Sequence, residues 1–223
     1  PQVRADKRAA VQAAITELGY RANTAGQLLA SKSSSLVGVA ARTLDNPFYG
    51  ELIEHLHSAL GWHGYQMIVQ TAHYDADVEE AAIDALLGLG LAGLVIIAPL
   101  GADGSLTAYA RSVATVLIGR DGSAIDVDSV TADDRLGGRL ATQHLIGTGH
   151  RGIVFCDSDL PTPDWSSRQR QRGYAVAMRA AGLESVARVV KTSALTTVMS
   201  ADPRPTAVFS HDDVAARAAQ RVV

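Results

Sequence analysis

Short, uninterrupted apolar runs alternating with stretches of helical periodicity constrain this chain more than any other feature. The runs are Leu36–Ala41, Gln66–Val69, Gly93–Ala98 and Thr115–Ile118. Between the first of them lie helix-spaced apolar positions: Leu52, Leu56, Ala59 and Leu60, then Val78, Ala82, Ala85 and Leu86. A short apolar strand with no polar alternation has no solvent face, so it belongs inside a parallel sheet covered by helices on both sides. The rhythm then restarts. Val127–Ala132 reads as a crossing strand, and Leu136, Leu140 and Leu145 mark a helix. Gly152–Cys156, Val186–Val190 and Thr206–Ser210 read as strands, with helices over about 167–181 and from Asp213 onward. The expected fold is α/β in two lobes, each a parallel sheet flanked by helices, meeting near residues 130–134.

Composition sets the limits on function. With 47% apolar and 19% charged residues the chain is globular, and 223 residues suit two lobes of about 100 residues each. A net charge of −3 does not mark a nucleic-acid binder. Any such contact must be local, and the first 32 residues fit: Arg4, Lys7, Arg8, Arg21 and Lys32 oppose only Asp6 and Glu17. In that segment Val11, Ala14, Ile15 and Leu18 give residues 7–18 helix periodicity, with Asp6 as cap and Gly19 as terminator. A second short helix is expected at about 24–30, and Ser31–Ser35 reads as a linker. A single cysteine, Cys156, and the lack of a signal peptide or a membrane-length apolar run lead to the expectation of a cytoplasmic protein.

In parallel α/β sheets ligands gather at the carboxyl ends of the strands. Residues that directly follow strands are therefore the binding candidates: Asn46, Phe48 and Tyr49; Arg120; Asp164, Trp165 and Arg170; His211 and Asp212. Arg170 offers a rigid fork of donors, the aspartates accept from hydroxyls, and the aromatics can cover an apolar ring face, a set that suits a polyol. The bland alternatives are that Asp134, Asp164 and Asp213 are ordinary helix caps, that the aromatics only pack, and that His211 is a satisfied core residue. No nucleophile–base constellation, phosphate loop, dinucleotide fingerprint or metal-spaced cluster appears, so no catalytic residues, metal or cofactor are expected.

Seven segments in order carry a resemblance: ITELGYRANTAGQLLA at 15–30, SLVGVA at 35–40, DNPFY at 45–49, TVLIGR at 115–120, HLIGTGHRGIVF at 144–155, RQRQRGYAVAMRAAGL at 168–183 and PTAVFSHDD at 205–213. Together they resemble the LacI/GalR family of ligand-responsive transcriptional repressors. The resemblance implies a two-lobed, type I periplasmic-binding-protein-like module preceded by the end of a helix-turn-helix headpiece and a hinge helix. It divides the chain into 1–31, 32–132 and 133–223, without the recognition helix and with an incomplete second lobe. It also implies a longer loop than Lys191–Ala194 provides. By resemblance, Leu29 is the leucine that wedges into the minor groove, with Asn23 and Gln27 beside it. Wedging a base step apart costs a few kcal/mol, repaid by bending the duplex. Ala22 and Gly26 depart from the family's usual proline and alanine, and Gly119 replaces an aspartate that some members use on ligand. The implied partners are operator DNA, a small carbohydrate-like effector and a second copy of the chain, as a homodimer or a tetramer. A solute-binding protein of sugar transport is the alternative that shares the lobes.

Overall fold

The computed structural model describes residues 4–19, 34–160 and 164–222. The chain separates into one unit of residues 1–34 and another of residues 35–223. In the first, α1 spans Ala5–Leu18. Its cap position is Arg4, which makes no side-chain capping bond; Asp6 sits in the first turn instead, where its charge meets the positive end of the helix. Gly19 ends the helix as expected, at φ 58°, giving its N–H to the carbonyls of Ile15 and Thr16. The hinge residues Asn23, Gln27 and Leu29 lie outside the described residues.

The second unit is built on two parallel sheets. The first contains β1 (Leu36–Ala41), β2 (Gln66–Thr71), β3 (Gly93–Ile97), β4 (Thr115–Ile118) and β5 (Asp128–Val130), in the order β2-β1-β3-β4-β5. Helices α2 (Pro47–Trp62), α3 (Ala76–Leu87) and α4 (Asp103–Ser112) connect them. The all-apolar pattern of β1 has the predicted cause. Val39 and Ala41 pack with Tyr49, Leu52 and Leu56 of α2, while Ala40, one residue out of phase, packs with Ile83 and Leu86 of α3. Both faces are covered, and each fully buried Leu or Ile contributes about 1.5–3 kcal/mol.

The second sheet holds β6 (Ile153–Asp157), β7 (Arg188–Lys191) and β8 (Ala207–Ser210), ordered β7-β6-β8. It is accompanied by α5 (Asp134–Gly147), α6 (Trp165–Ala180), α7 (Leu195–Met199) and α8 (Asp213–Ala219). Helices α4, of the first sheet, and α7, of the second, were not legible. In α4 the apolar stripe reduces to Leu106 and Tyr109 amid Gly104, Ser105 and Thr107, and α7 is a single short turn. β7 starts two residues later than expected because 184–186 form a tight 3-10 turn.

Helices α5 and α6 cross in backbone contact. A Cβ on Gly138 would lie 2.2 Å from the Arg170 carbonyl oxygen, and one on Gly173 would lie 2.1 Å from that of Arg135. Only glycine fits either position, and the crossing brings the start of α5 beside the side chain of Arg170. Each sheet also reverses its winding direction once, at β1/β3 and at β6/β8. A doubly wound sheet opens a crevice at such a point, outside the carboxyl ends of the two strands.

Candidate functional site

A cavity of about 830 Å³ lies between the carboxyl ends of the two sheets, within the range of small-molecule sites. Asn46, Phe48 and Tyr49 line it from the loop and helix after β1. Asp164, Arg170, His211 and Asp212 line it from the starts of α6 and α8. Seven candidates from the sequence thus meet at one place. Two do not. Arg120 donates to the Gly101 carbonyl and to Asp103, which ties it to a loop of its own lobe. Trp165, the half-buried first residue of α6, is not among the lining residues. The cavity also extends past β8: Val208 and Phe209, on opposite faces of that strand, both line it, together with Ala141 and Leu145 of α5. Among the described residues β8 pairs on one side only.

Polar groups bridge the two lobes across the cleft. The Arg42 Nη1 donates to Asp164 Oδ2 at 2.9 Å, and the Asn46 amide donates to Asp212 Oδ2 at 3.1 Å. The Ser166 hydroxyl donates to the Gly119 carbonyl at 3.3 Å. Arg42 is 1% exposed and is also held within its own lobe, Nε and Nη2 both donating to the Ala98 carbonyl at 2.9 and 2.6 Å. Arg42 and Ala98 directly follow β1 and β3, so this contact sits on the crevice at the first winding reversal. Ala98 adopts φ 51°, an uncommon conformation for a residue with a side chain, at the position whose carbonyl receives the guanidinium fork.

Across the cleft, Arg170 is positioned by two acceptors. Its Nε donates to Asp134 Oδ1 at 2.8 Å, and its Nη1 donates to the His211 carbonyl. Asp134 is buried at the first turn of α5, and the capping role falls to Asp133, which accepts from the Leu136 N–H at 2.8 Å. Asp164 and Asp212 do cap helices, accepting from Ser167 N–H at 2.6 Å and Ala215 N–H at 2.8 Å, while each turns its other oxygen toward the first lobe. Capping and cleft-lining are therefore one role at these residues. The start of α6 is fixed further by Ser167, whose hydroxyl donates to the buried Asp157 at 2.7 Å.

His211 is buried, and its Nδ1 is the one buried side-chain polar atom left without a hydrogen-bond partner among the described residues. An unsatisfied buried polar atom costs about 1–3 kcal/mol. Burial pushes the Tyr49 phenol up to about 12, partly opposed by the Arg42 charge and reinforced by Asp164. Burial likewise raises Glu79, although its carboxylate accepts from the Leu100 and Gly101 N–H groups at 2.8–3.0 Å. Sequence reasoning missed Arg42 and Asp134. The first was findable, since it directly follows an apolar strand. The second had no local signal, because only the glycine crossing of α5 and α6 brings it to Arg170. Among the described residues no group of three or more His, Cys, Asp or Glu could hold a metal ion, and no helix is long and apolar enough to cross a membrane.

Two parallel α/β lobes with one polar cleft between their strand ends define a small-molecule-binding module of the type I periplasmic-binding-protein fold. The chain belongs to the family of periplasmic binding proteins and sugar-binding domains of the LacI family, whose model matches residues 34–223. It is 27% identical to the HTH-type transcriptional regulator DegA of Bacillus subtilis (strain 168), over 95% of this chain and 66% of DegA. It is also 27% identical to the HTH-type transcriptional regulator GalR of Escherichia coli (strain K12), over 85% of this chain and 55% of GalR. The chain therefore spans less than two thirds of either relative. Its fold is similar to that of the lac repressor dimer bound to operator and the anti-inducer ONPF, with a TM-score of 0.83 at 23% identity, covering 100% of this chain and 69% of that one.

Proposed function

We propose that this chain is the sensing part of a LacI-type transcriptional repressor, in which a small sugar-like effector occupies the cleft and controls operator binding. The observation that carries this is the set of polar bridges from Arg42, Asn46 and Ser166 to the opposite lobe. A ligand that inserts among these groups must change how the two lobes hold one another. An effector shifts the population of a conformation only by binding it differentially, and a cleft closed by replaceable bonds supplies that difference. Arg170, Asp164, Asp212 and His211 bond the effector's hydroxyls, Asn46 orients it, and Phe48 and Tyr49 cover its apolar face.

On this reading residues 1–31 are the end of the headpiece and the hinge, with Asn23, Gln27 and Leu29 on DNA, and residues 32–132 and 133–223 are the two lobes. Two copies pair to present two hinges to a palindromic operator, and the protein works in the cytoplasm. The names of DegA and GalR favour regulation over solute transport or catalysis.

A thermal-shift screen of sugars and nucleosides tests the sensing role. A ligand at about 100 times its Kd stabilises by about 2.7 kcal/mol, and Arg170→Ala is expected to weaken that ligand by about 10–100-fold, the loss of one or two charge-assisted hydrogen bonds. Unchanged affinity in Arg170→Ala rejects the cleft as the site. In gel retardation with upstream DNA, the same ligand is expected to change the native protein's operator affinity; no change rejects the regulatory role.

A further inference from the structure

Acidic side chains outnumber guanidinium groups around the cleft among the described residues. Four carboxylates, Asp134, Asp164, Asp212 and Asp213, face or back the cavity, against two guanidinium groups, Arg42 and Arg170. Each guanidinium is already neutralised: Arg42 by Asp164 at 2.9 Å and Arg170 by Asp134 at 2.8 Å. A phosphate or carboxylate entering here would meet no unpaired cation among the described residues and would face the half-buried Asp212, which has no guanidinium partner there.

Backbone donors tell the same story. Helix starts are natural phosphate sites because their first N–H groups lack partners. Here each helix start bordering the cavity spends one of those N–H groups on its own cap. Asp164 takes the Ser167 N–H of α6, Asp212 takes the Ala215 N–H of α8, and Asn46 takes the Phe48 N–H of α2 at 3.0 Å. Two of these caps are carboxylates, which also cancel the positive end of the helix. The paired amides of Leu100 and Gly101, after β3, are taken by Glu79.

What remains at the rim is acceptor-rich. A carboxylate offers about four lone-pair positions, and Asp212 and Asp164 use only some of theirs on the protein. Hydroxyl groups supply donors to these oxygens. A phosphate ester replaces one such hydroxyl by a charged group made of acceptors.

We propose that the cleft selects an uncharged polyol over its phosphate ester or uronic acid, and that the Asp134–Arg170 pair is a determinant of that choice. The proposal rests on the sensing role of the same cleft. It is tested by calorimetric titration of the full chain with glucose, galactose, fructose and ribose, each beside its monophosphate ester, and with glucuronate. The expected result is a neutral sugar that binds about 100-fold more tightly than its ester, in keeping with burial of an uncompensated charge. An ester that binds as tightly as its parent sugar, or more tightly, overturns the proposal while leaving the sensing role intact. Failure of every neutral and charged member to bind overturns the sugar-sensing role itself. In Asp134→Asn, which frees the Arg170 charge, the preference is expected to narrow by about tenfold. An unchanged ratio there removes that pair as a determinant. Asp213→Asn, at an exposed position, is expected to narrow the preference to a lesser degree, and tests the charge balance even if Asp134→Asn fails to fold. A ratio unchanged in Asp213→Asn as well overturns charge balance as the basis of the selection.

Discussion

The two walls of the cleft carry charge in different ways. In the first lobe the wall is neutral at its surface, with Asn46, Phe48 and Tyr49, and the cation Arg42 is sealed beneath it. The side chain of Arg42 is 2% exposed and is clamped by a carbonyl of its own lobe as well as by Asp164. In the second lobe the cation lines the cavity itself: the Arg170 side chain is 34% exposed and is held from behind by Asp134. The difference separates structure from recognition. A sealed guanidinium cannot leave its partners without stranding them, whereas a guanidinium steadied from the rear can still meet a ligand. Changes at Arg42 should therefore register mainly in stability, and changes at Arg170 mainly in binding.

Arg42→Met is the strongest way to break this comparison. It strands the Ala98 carbonyl and leaves Asp164, 17% exposed, without its ion partner. Removing one member of a buried pair costs about 3–5 kcal/mol, and some exposure of Asp164 places the expected loss near the lower end, about 3 kcal/mol, read as a lower urea midpoint. Adding Asp164→Asn should restore part of it, since the stranded charge is then gone. A midpoint for Arg42→Met equal to that of the unaltered protein would make Arg42 a surface-like charge and erase the contrast with Arg170.

A pair of glycines sharpens it next. In Gly173→Ala the new methyl meets backbone, the Arg135 oxygen at 2.1 Å, so α5 and α6 must separate. Overpacking of this kind costs about 1–3 kcal/mol, and it should also weaken effector binding by displacing Arg170. In Gly38→Ala, in the first lobe, the methyl meets the end of a flexible side chain, Leu91 Cδ1 at 2.6 Å. That neighbour can turn aside, and the expected loss is below about 1 kcal/mol. Equal losses at the two positions would mean that the helix crossing is no tighter than the sheet packing.

The same contrast decides what the sequence made legible. Strand-following residues of the second lobe stood out because they are charged residues after apolar runs, and Asp164, Arg170, His211 and Asp212 do meet in one cavity. Arg120 obeyed the same rule yet turns into its own lobe, where the Gly101 carbonyl and the Asp103 carboxylate take its guanidinium. The central strands were legible from periodicity, since β1 is buried on both faces. Helix α4 was not, since burial of only Leu106 and Tyr109 leaves too little apolar signal along ten residues. Asp134 was illegible for a further reason: its partner is 36 residues away, and the contact exists only because Gly138 and Gly173 let two helices touch.

The smallest expected effect compares two buried phenols. Tyr174 of the second lobe donates to the Ile153 carbonyl at 2.7 Å and accepts from the Arg188 N–H at 3.0 Å; burial raises it and the bond from Arg188 opposes the rise. Tyr49, in the first wall, is raised to about 12 by burial, with the charge of Arg42 pulling it down and those of Asp164 and Asp212 pushing it up. Its contribution to stability is complete below pH 10, where folded and unfolded chains both keep the proton, and is lost as pH rises from 10 to about 12. In alkaline titration followed by phenolate absorbance, Tyr49→Phe should remove an ionisation near pH 12, and Asp164→Asn should move it to lower pH. An ionisation of Tyr49 indifferent to Asp164→Asn would mean that the phenol does not feel the opposite lobe, and the two walls would then not be coupled at this point.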